Sequence, residues 1–270
     1  MRQQYQSGPV IDRELALGNA ALVGYLPIGF PTIKQSIKSA QVMLENGVDI
    51  IELGFPYTDP AMDGPVIQQA TTVALERGTH LEDLLDAVEA LSASAPILSM
   101  TYWNPVHWYG VDRFAQAFSV AGGAGLITPD LPPEEAAQWI EASDKYDLER
   151  VFLAAPSSSA ERLKTIATAS QGWVYAASTM GVTGQRASVD VRTRDLVQRC
   201  RDAGAKRVCV GLGVSNGQQA RDIADYADGV IVGSAFIKPL LSEPFERAIL
   251  RIADLAQELK DGVTRTKVKA

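Results

Sequence analysis

The feature that most constrains the fold of this chain is a regular alternation of short apolar segments with longer helix-like segments. Each apolar segment is followed by enough residues for a helix that returns the chain to the start of a parallel neighbour. Eight such repeats within 270 residues favour a (β/α)8 TIM barrel over an open doubly wound sheet, which more often has fewer strands. The predicted strands are residues 20–28, 48–53, 96–102, 125–128, 150–154, 172–177, 207–211 and 229–233.

Few residues lie outside this repeat. Residues 12–18 predict an additional short N-terminal helix that plugs one end of the barrel, and residues 264–270 are expected to fray. No linker, low-complexity tract or block of like charge interrupts the alternation. We therefore expect residues 1–270 to form a single (β/α)8 barrel domain of the α/β class.

Charge and hydropathy disfavour several kinds of partner. The net charge of -7 argues against nucleic acid or an acidic membrane surface. No apolar run approaches the roughly 18 residues of a membrane span, and the first ten residues lack the basic start and apolar middle of a signal peptide. We expect a cytoplasmic protein without a membrane or nucleic-acid partner.

A charged side chain, Glu52, lies almost at the end of the second predicted strand. Burial of an unpaired carboxylate is unfavourable, so such a residue has a partner, is protonated or belongs to a functional site. The Gly-, Pro- and Asp-rich residues that follow are expected to form a long loop that returns Asp59 and Asp63 toward the same end of the barrel. Glu52 and Asp63 could then face one small cavity. The alternative is a salt-bridged Glu52 with aspartates that only shape turns.

Polar side chains also follow other predicted strands, at the barrel end where TIM barrels bind their ligands. Tyr102 and Asn104 end the third strand, Asp130 follows the fourth, and Tyr175 lies within the sixth. If Tyr175 points into the barrel, its phenol can form a hydrogen bond with a ligand hydroxyl. Otherwise it fills the core.

Glycines follow or close the last three predicted strands: residues 181–184 follow the sixth, residues 211–213 close the seventh and Gly233 closes the eighth. Bare backbone N–H groups and a helix N-terminus can bind a dianion at close range, and TIM barrels commonly hold phosphate after their seventh and eighth strands. One glycine alone would be weak evidence, since glycine also ends strands for conformational reasons. Three on successive strands predict a phosphate site.

Other catalytic groups are scarce. His80 and His107 are the only histidines and lie in separate predicted loops, while Cys200 and Cys209 are expected to pack in the core, so no metal site is predicted. No predicted strand carries a lysine, which excludes a Schiff-base aldolase and leaves proton transfer mainly to carboxylates. Residues 100–110 contain four aromatic side chains in a predicted loop that either caps the barrel or forms a protein interface.

Taken together, these residues resemble the tryptophan synthase alpha subunit family. The resemblance covers about residues 24–239, and its most specific part is residues 52–65. It implies a lyase that cleaves indole-3-glycerol phosphate to indole and glyceraldehyde 3-phosphate by a retro-aldol reaction, with no cofactor in this chain. The other matching motifs are Tyr102 with Asn104, then residues 109–110, 130–132, 181–184, 211–215 and 233–234.

The resemblance also implies roles for individual residues. Glu52 matches the acid–base residue, Asp63 the carboxylate that accepts the indole N–H, and Tyr175 the tyrosine that contacts a glycerol hydroxyl. Thr183 matches the residue that closes toward Asp63. The remaining substrate-binding residues it implies are Tyr25, Met100, Tyr102, Ile127, Leu153 and Leu212, and the phosphate-binding residues are Gly184, Gly213, Gly233 and Ser234.

The same resemblance implies a partner, a beta subunit that uses pyridoxal phosphate and receives indole in an α2β2 heterotetramer. The residues that match this interface are Asp59, Pro60, Asn104 and Pro132. Thr179 lies in the loop after the sixth predicted strand, where the family often has arginine, so the resemblance does not imply an ion pair that holds this loop closed as a lid.

Two other functions are compatible with a barrel of this kind. A non-catalytic regulatory subunit would leave Glu52 and Asp63 without a role. Another phosphosugar TIM-barrel enzyme would leave residues 56–65 unexplained.

Overall fold

The computed structural model describes residues 5–177, 186–211 and 213–264, except for the side chains of residues 186–190. Within these residues, parallel strands form a sheet in the order β5-β4-β3-β2-β1-β9-β8-β7-β6, and the predicted TIM barrel is confirmed. The strands are β1 Ala21–Pro27, β2 Ile50–Gly54, β3 Ile97–Met100, β4 Gly125–Ile127, β5 Glu149–Val151, β6 Leu153–Ala154, β7 Val174–Ala177, β8 Val208–Gly211 and β9 Gly229–Val232.

Strands β5 and β6 are two halves of the fifth predicted strand, separated only by Phe152. β5 pairs with β4, whereas β6 pairs with β7. The chain therefore passes from one end of the sheet to the other at Phe152 and closes the ring. Each of the other predicted strands is present, and its ends differ from the predicted ones by at most two residues.

Helices cover the outside of the ring and one of its ends. They are α1 Ser7–Ala16, α2 Ile33–Glu45, α3 Pro65–Glu76, α4 Leu81–Leu91, α5 Trp103–Tyr109, α6 Val111–Val120, α7 Ala137–Tyr146, α8 Ala160–Ala169, α9 Arg186–Asp202, α10 Gly217–Ala224, α11 Ser234–Ser242 and α12 Phe245–Val263. Among the helices that the structure describes, none is long and apolar enough to span a membrane.

Two helices lie where the sequence predicted none. Helix α5 occupies most of the segment that was predicted to be an aromatic loop, so that prediction was wrong. Helix α11 was not predicted either, because it contains Pro239, a residue that normally marks the end of a helix. Both follow the C-terminal ends of strands and therefore shape the ligand-binding end of the barrel.

The core has two layers because successive strand residues point to opposite sides of the sheet. In β2, Ile50 packs inside the barrel and Ile51 packs against the surrounding helices. Glu52 follows with the same orientation as Ile50, so its side chain enters the barrel. The interior layer consists of Ile11, Ala21, Val23, Ile50, Leu98, Ala124, Ile127, Val151, Trp173, Cys209 and Ile231.

Helix α1 closes the N-terminal end of the barrel, as predicted, but begins at Ser7 rather than at residue 12. Glu149, the first residue of β5, accepts hydrogen bonds from the backbone N–H groups of Ser7 (3.0 Å) and Gly8 (2.9 Å). These are N–H groups that a helix cannot satisfy internally. Ile11 then inserts its side chain into the interior layer.

Carboxylates stabilise the same end of the barrel by binding backbone N–H groups of neighbouring strands. Asp49 accepts from the N–H of Leu22 at 2.8 Å and is paired with Lys260 at 2.8 Å. Asp228 accepts from the N–H of Val208 at 2.7 Å. The N-terminal end is thus held together by fixed polar contacts, which leaves the opposite end for the ligand.

Candidate active site

The acid at the centre of the candidate site is Glu52, which β2 places inside the barrel with only 1% of its surface exposed. Its backbone is held between β1 and β3, in register with Tyr25 and Leu98. In the part of the chain that the structure describes, its Oε2 atom has no hydrogen-bond partner. Burial, with a smaller contribution from the charge of Asp63, raises the pKa of Glu52 from 4.5 to about 8. Among the described residues no cation pairs with Glu52, so they do not support the salt-bridged alternative.

The second acid, Asp63, lies in the loop between β2 and α3. The loop starts at the barrel, where the N–H of Phe55 donates to the carbonyl of Met100 at 3.0 Å. It is held again next to Asp63, where the N–H of Met62 donates to the Tyr102 hydroxyl at 2.9 Å. Tyr57 also stacks on Tyr102, with ring centroids 5.0 Å apart. These contacts fold the loop back over the strand ends, as predicted.

Asp63 is half-buried, and this burial raises its pKa from 3.8 to about 6. Its charge raises the pKa of Glu52, Tyr25 and Tyr175, so its carboxyl group lies close enough to these side chains to interact with them electrostatically. At pH 7 Glu52 is mainly protonated, whereas Asp63 is mainly ionised. One site thus holds a proton donor beside a hydrogen-bond acceptor, an arrangement that pairs of carboxyl groups often use.

Two tyrosines enter the site from β1 and β7, and each lies over a glycine of the neighbouring strand. A Cβ atom on Gly54 would be 2.1 Å from the Tyr25 hydroxyl oxygen, and one on Gly211 would be 2.3 Å from that of Tyr175. Any larger residue at either glycine would collide with the phenol. The glycines therefore leave the space in which both hydroxyl groups sit.

Apolar side chains line the interior between these polar groups. Met100, Leu153 and Tyr175 are partly buried and pack against the interior layer that includes Ile127. Tyr175 stacks on Trp173 with centroids 5.8 Å apart. The structure brings these predicted substrate-binding residues to one end of the barrel, together with Tyr25 and Tyr102.

The described residues of the predicted phosphate site are Gly213, Gly233 and Ser234, which follow the neighbouring strands β8 and β9. β8 and β9 pair in register at Gly211 and Ile231, so the chain leaves both at the same end. Gly233 is the N-cap of α11 and Ser234 is its first residue, and Gly213, two residues after the end of β8, is exposed. The first N–H groups of α11 lack acceptors within the helix and can bind an anion.

The predicted interface residues lie on the loops that follow β2, β3 and β4. Asp59 and Asn104 are exposed, whereas Pro60 and Pro132 are partly buried. These loops are joined because the Asp130 carboxylate accepts from the N–H of Trp103 at 2.9 Å and 3.1 Å. The same region exposes Trp108 (81%) and Met62 (52%).

Four residues that the sequence analysis names individually lie outside the described residues. They are Thr179, Thr183, Gly184 and Leu212. Their predicted roles in lid closure, phosphate binding and the indole pocket stay predictions. In the ranges that the structure covers, there is no group of three His, Cys, Asp or Glu residues that could hold a metal ion.

Sequence reasoning missed the contributions of Gly54, Gly211 and Trp173 to the geometry of the site. A glycine inside a strand often marks a place where another group approaches closely, and that signal was available at both glycines. Tyr57 was also missed. Its stacking on Tyr102 depends on how the loop folds, which the sequence pattern does not specify.

Comparison with known proteins gives a consistent result. The family model described as "Tryptophan synthase alpha chain" matches residues 12–264. The tryptophan synthase alpha chain of Thermobifida fusca is 54% identical over 254 residues, which cover 92% of this chain and 94% of that protein. The corresponding chain of Bifidobacterium longum is 48% identical over 265 residues, which cover 96% of this chain and 91% of that protein.

Solved structures agree with the sequence comparison. A structure of Mycobacterium tuberculosis tryptophan synthase superposes with a TM-score of 0.89 at 50% identity and covers 96% of this chain and 98% of that one. The tryptophan synthase subunit alpha of Legionella pneumophila has a TM-score of 0.85 at 28% identity, with 94% and 97% covered. The chain belongs to the tryptophan synthase alpha chain family.

Proposed function

We propose that this chain cleaves indole-3-glycerol phosphate to indole and glyceraldehyde 3-phosphate, with Glu52 as the acid–base residue. Family membership supports the reaction. The residue assignment rests on the Glu52 carboxyl group, which is buried near Asp63 and whose Oε2 atom has no hydrogen-bond partner among the described residues. A regulatory subunit without catalysis would gain nothing from a carboxyl group held in so unfavourable a place.

The two carboxyl groups have different roles, proton transfer for Glu52 and charge stabilisation for Asp63. Glu52 donates its proton to C3 of the indole ring, which turns the ring into a positively charged indolenine. The ionised Asp63 accepts a hydrogen bond from the ring N–H and stabilises that charge. The Glu52 carboxylate then removes the proton of the 3′-hydroxyl as the bond between C3 and C3′ breaks, so indole and the aldehyde leave and Glu52 is protonated again.

Tyr175 orients the glycerol chain in this scheme by hydrogen bonding to one of its hydroxyl groups. The phosphate binds at the far end, against the backbone N–H groups of Gly213, Gly233 and Ser234, together with Gly184. Helix α11 points its N-terminus at this position, and its dipole favours a negative charge there. The indole ring then lies among the apolar side chains next to Glu52.

We further propose that the loops after β2, β3 and β4 bind a beta subunit in an α2β2 assembly. Asp59, Pro60, Asn104 and Pro132 are on these loops. The exposed Trp108 and Met62 give the surface the aromatic and methionine content typical of protein interfaces. Pyridoxal phosphate would then belong to the partner, and the cytoplasmic location stays a prediction.

The test is product analysis with purified chain and indole-3-glycerol phosphate. We expect equimolar indole and glyceraldehyde 3-phosphate, slowly from the isolated chain and faster once a beta subunit is added. Inorganic phosphate and glycerol phosphate should compete with the substrate. No indole under either condition would refute the proposed reaction, and activity without phosphate competition would refute the phosphate site.

A further inference from the structure

A continuous series of contacts links the N-terminal helix to the candidate active site through Trp173. This residue precedes β7, is only 1% exposed, and shares the inner face of the barrel with Tyr175 two residues later. Its ring stacks on that of Tyr175 at a centroid distance of 5.8 Å and an interplanar angle of 29°. Its Nε1–H donates to the Ser7 hydroxyl oxygen at 3.0 Å.

The Ser7 end of this series is fixed. The Ser7 hydroxyl and the Ser7 and Gly8 backbone N–H groups all donate to Glu149, which is 2% exposed and begins β5. Asp12 of α1 accepts from Arg207 Nε at 2.6 Å, next to β8. Ser7 therefore holds the Trp173 indole from a helix that is itself bound to two strands.

The Trp173 ring is held by a directional contact as well as by packing. A cavity of about 430 Å³ lies between α1 and the strand starts, and Trp173 is among its lining residues. The hydrogen bond to Ser7 is the directional contact, and its loss would leave a buried donor without an acceptor.

The Tyr175 side chain has little room to move. Its hydroxyl oxygen lies over Gly211, so close that a Cβ atom on this glycine would be only 2.3 Å from it. Its backbone is paired with Leu153 and Cys209. Trp173 supports the ring from the N-terminal side, and the opening over Gly211 receives the hydroxyl group. A displacement of Trp173 would therefore move the Tyr175 hydroxyl out of this opening.

We propose that Trp173 and Ser7 are positioning residues for Tyr175, so that docking of helix α1 on the closed end of the barrel sets the active-site geometry at the other end. This proposal rests on the function proposed above. Neither residue contacts the substrate. Both act by fixing the height and tilt of the Tyr175 ring.

Trp173→Leu removes both the stacked ring and the hydrogen-bond donor. We expect kcat/KM for indole release to fall by about tenfold or more, since a displacement of about 1 Å at an orienting group can have a large effect on rate. Trp173→Phe keeps a ring against Tyr175 and should retain most of the activity. Ser7→Ala should lower kcat/KM less than Trp173→Leu, because it leaves the stacked ring in place.

Trp139→Leu is the matched control. Trp139 is another fully buried tryptophan, but it lies on α7 in the outer layer, away from Tyr175. Its replacement removes the same volume from the core and should lower the urea midpoint of unfolding to a similar extent. Its kcat/KM, measured under conditions where every variant is folded, should stay within about twofold of the wild-type value.

The deciding experiment is a double-mutant cycle of Trp173→Leu with Tyr175→Phe. If Trp173 acts through the Tyr175 hydroxyl, Trp173→Leu lowers kcat/KM in the wild-type chain but has little further effect when that hydroxyl is absent. An equal fall in both backgrounds, or a fall no greater than that of Trp139→Leu, would overturn the proposal.

Should Trp173→Leu fail to fold, the cycle uses Ser7→Ala with Tyr175→Phe. The same coupling is expected, and its absence likewise overturns the proposal. Wild-type indole release is measured alongside. A wild-type chain that releases no indole would refute the proposed function, whereas an active wild type with uncoupled variants would refute only the positioning role.

Discussion

Replacement of Glu52 by glutamine should abolish activity but make the protein more stable at neutral and alkaline pH. The Glu52 carboxyl group has a pKa of about 8 in the folded chain and an ordinary value of 4.5. Between these values the folded state keeps a proton that the unfolded state releases. Stability therefore decreases as the pH rises from about 5 to 8, and it changes little beyond.

The size of the effect follows from the same two values. The interval from 4.5 to about 8 corresponds to about 5 kcal/mol, at about 1.4 kcal/mol for each pH unit. At pH 7 about 3 kcal/mol of this penalty is present. Glutamine has nearly the same shape and stays neutral, so Glu52→Gln removes the pH-dependent penalty. The difference between the two proteins should be small at pH 5 and reach several kcal/mol at pH 9.

Urea unfolding of both proteins at pH 5, 7 and 9 measures this difference directly. Glu89→Gln on α4 is the control, because the Glu89 side chain is exposed and its replacement should leave the pH dependence unchanged. The reasoning would be refuted if wild type and Glu52→Gln lost stability in parallel between pH 5 and pH 9. Parallel curves would mean that Glu52 is ionised in the folded chain.

Three further outcomes follow from the site. Asp63→Asn should lower kcat by about 10²–10³-fold, because it removes the charge that stabilises the protonated indole. Wild-type activity should also fall below about pH 6 as Asp63 becomes protonated. A pH–rate profile of both proteins measures the two effects. Gly211→Ala should lower kcat/KM by about tenfold or more, because the Cβ atom of the alanine would lie 2.3 Å from the Tyr175 hydroxyl. A wild-type kcat/KM in steady-state kinetics would contradict this. Tyr102→Phe should raise KM by about two- to tenfold, because it removes a bond worth about 1 kcal/mol to the Met62 N–H; an unchanged KM would show that this bond does not order the loop.

The barrel could be predicted because its signal is local and repeated. Each strand is a short apolar run and each following helix has its own periodicity, so eight independent segments support the same topology. The position of Glu52 inside the barrel also follows from local alternation with Ile50. The proximity of Asp63 could be predicted only in part. The Gly-, Pro- and Asp-rich loop was expected to return toward the strand ends, which brings Asp63 near Glu52.

The features that were missed depend on contacts between distant parts of the chain. Helix α1 starts at Ser7 because Glu149, 142 positions later, accepts its first N–H groups. Helix α5 begins at Trp103 with its N–H bound by Asp130 in the next loop. A helix start that is capped from another element leaves no signature in its own sequence, since the usual capping side chain is absent. The stacking of Trp173 on Tyr175 becomes significant only when Ser7 is known to lie beneath it.

The central claim is that a protonated Glu52 inside the barrel performs the proton transfers. Indole release by wild type and Glu52→Gln at pH 7, with both proteins shown to be folded, tests it most directly. The account predicts that the variant loses at least about 10²–10⁴-fold in kcat, the usual contribution of acid–base catalysis. Turnover within a few-fold of wild type would contradict it.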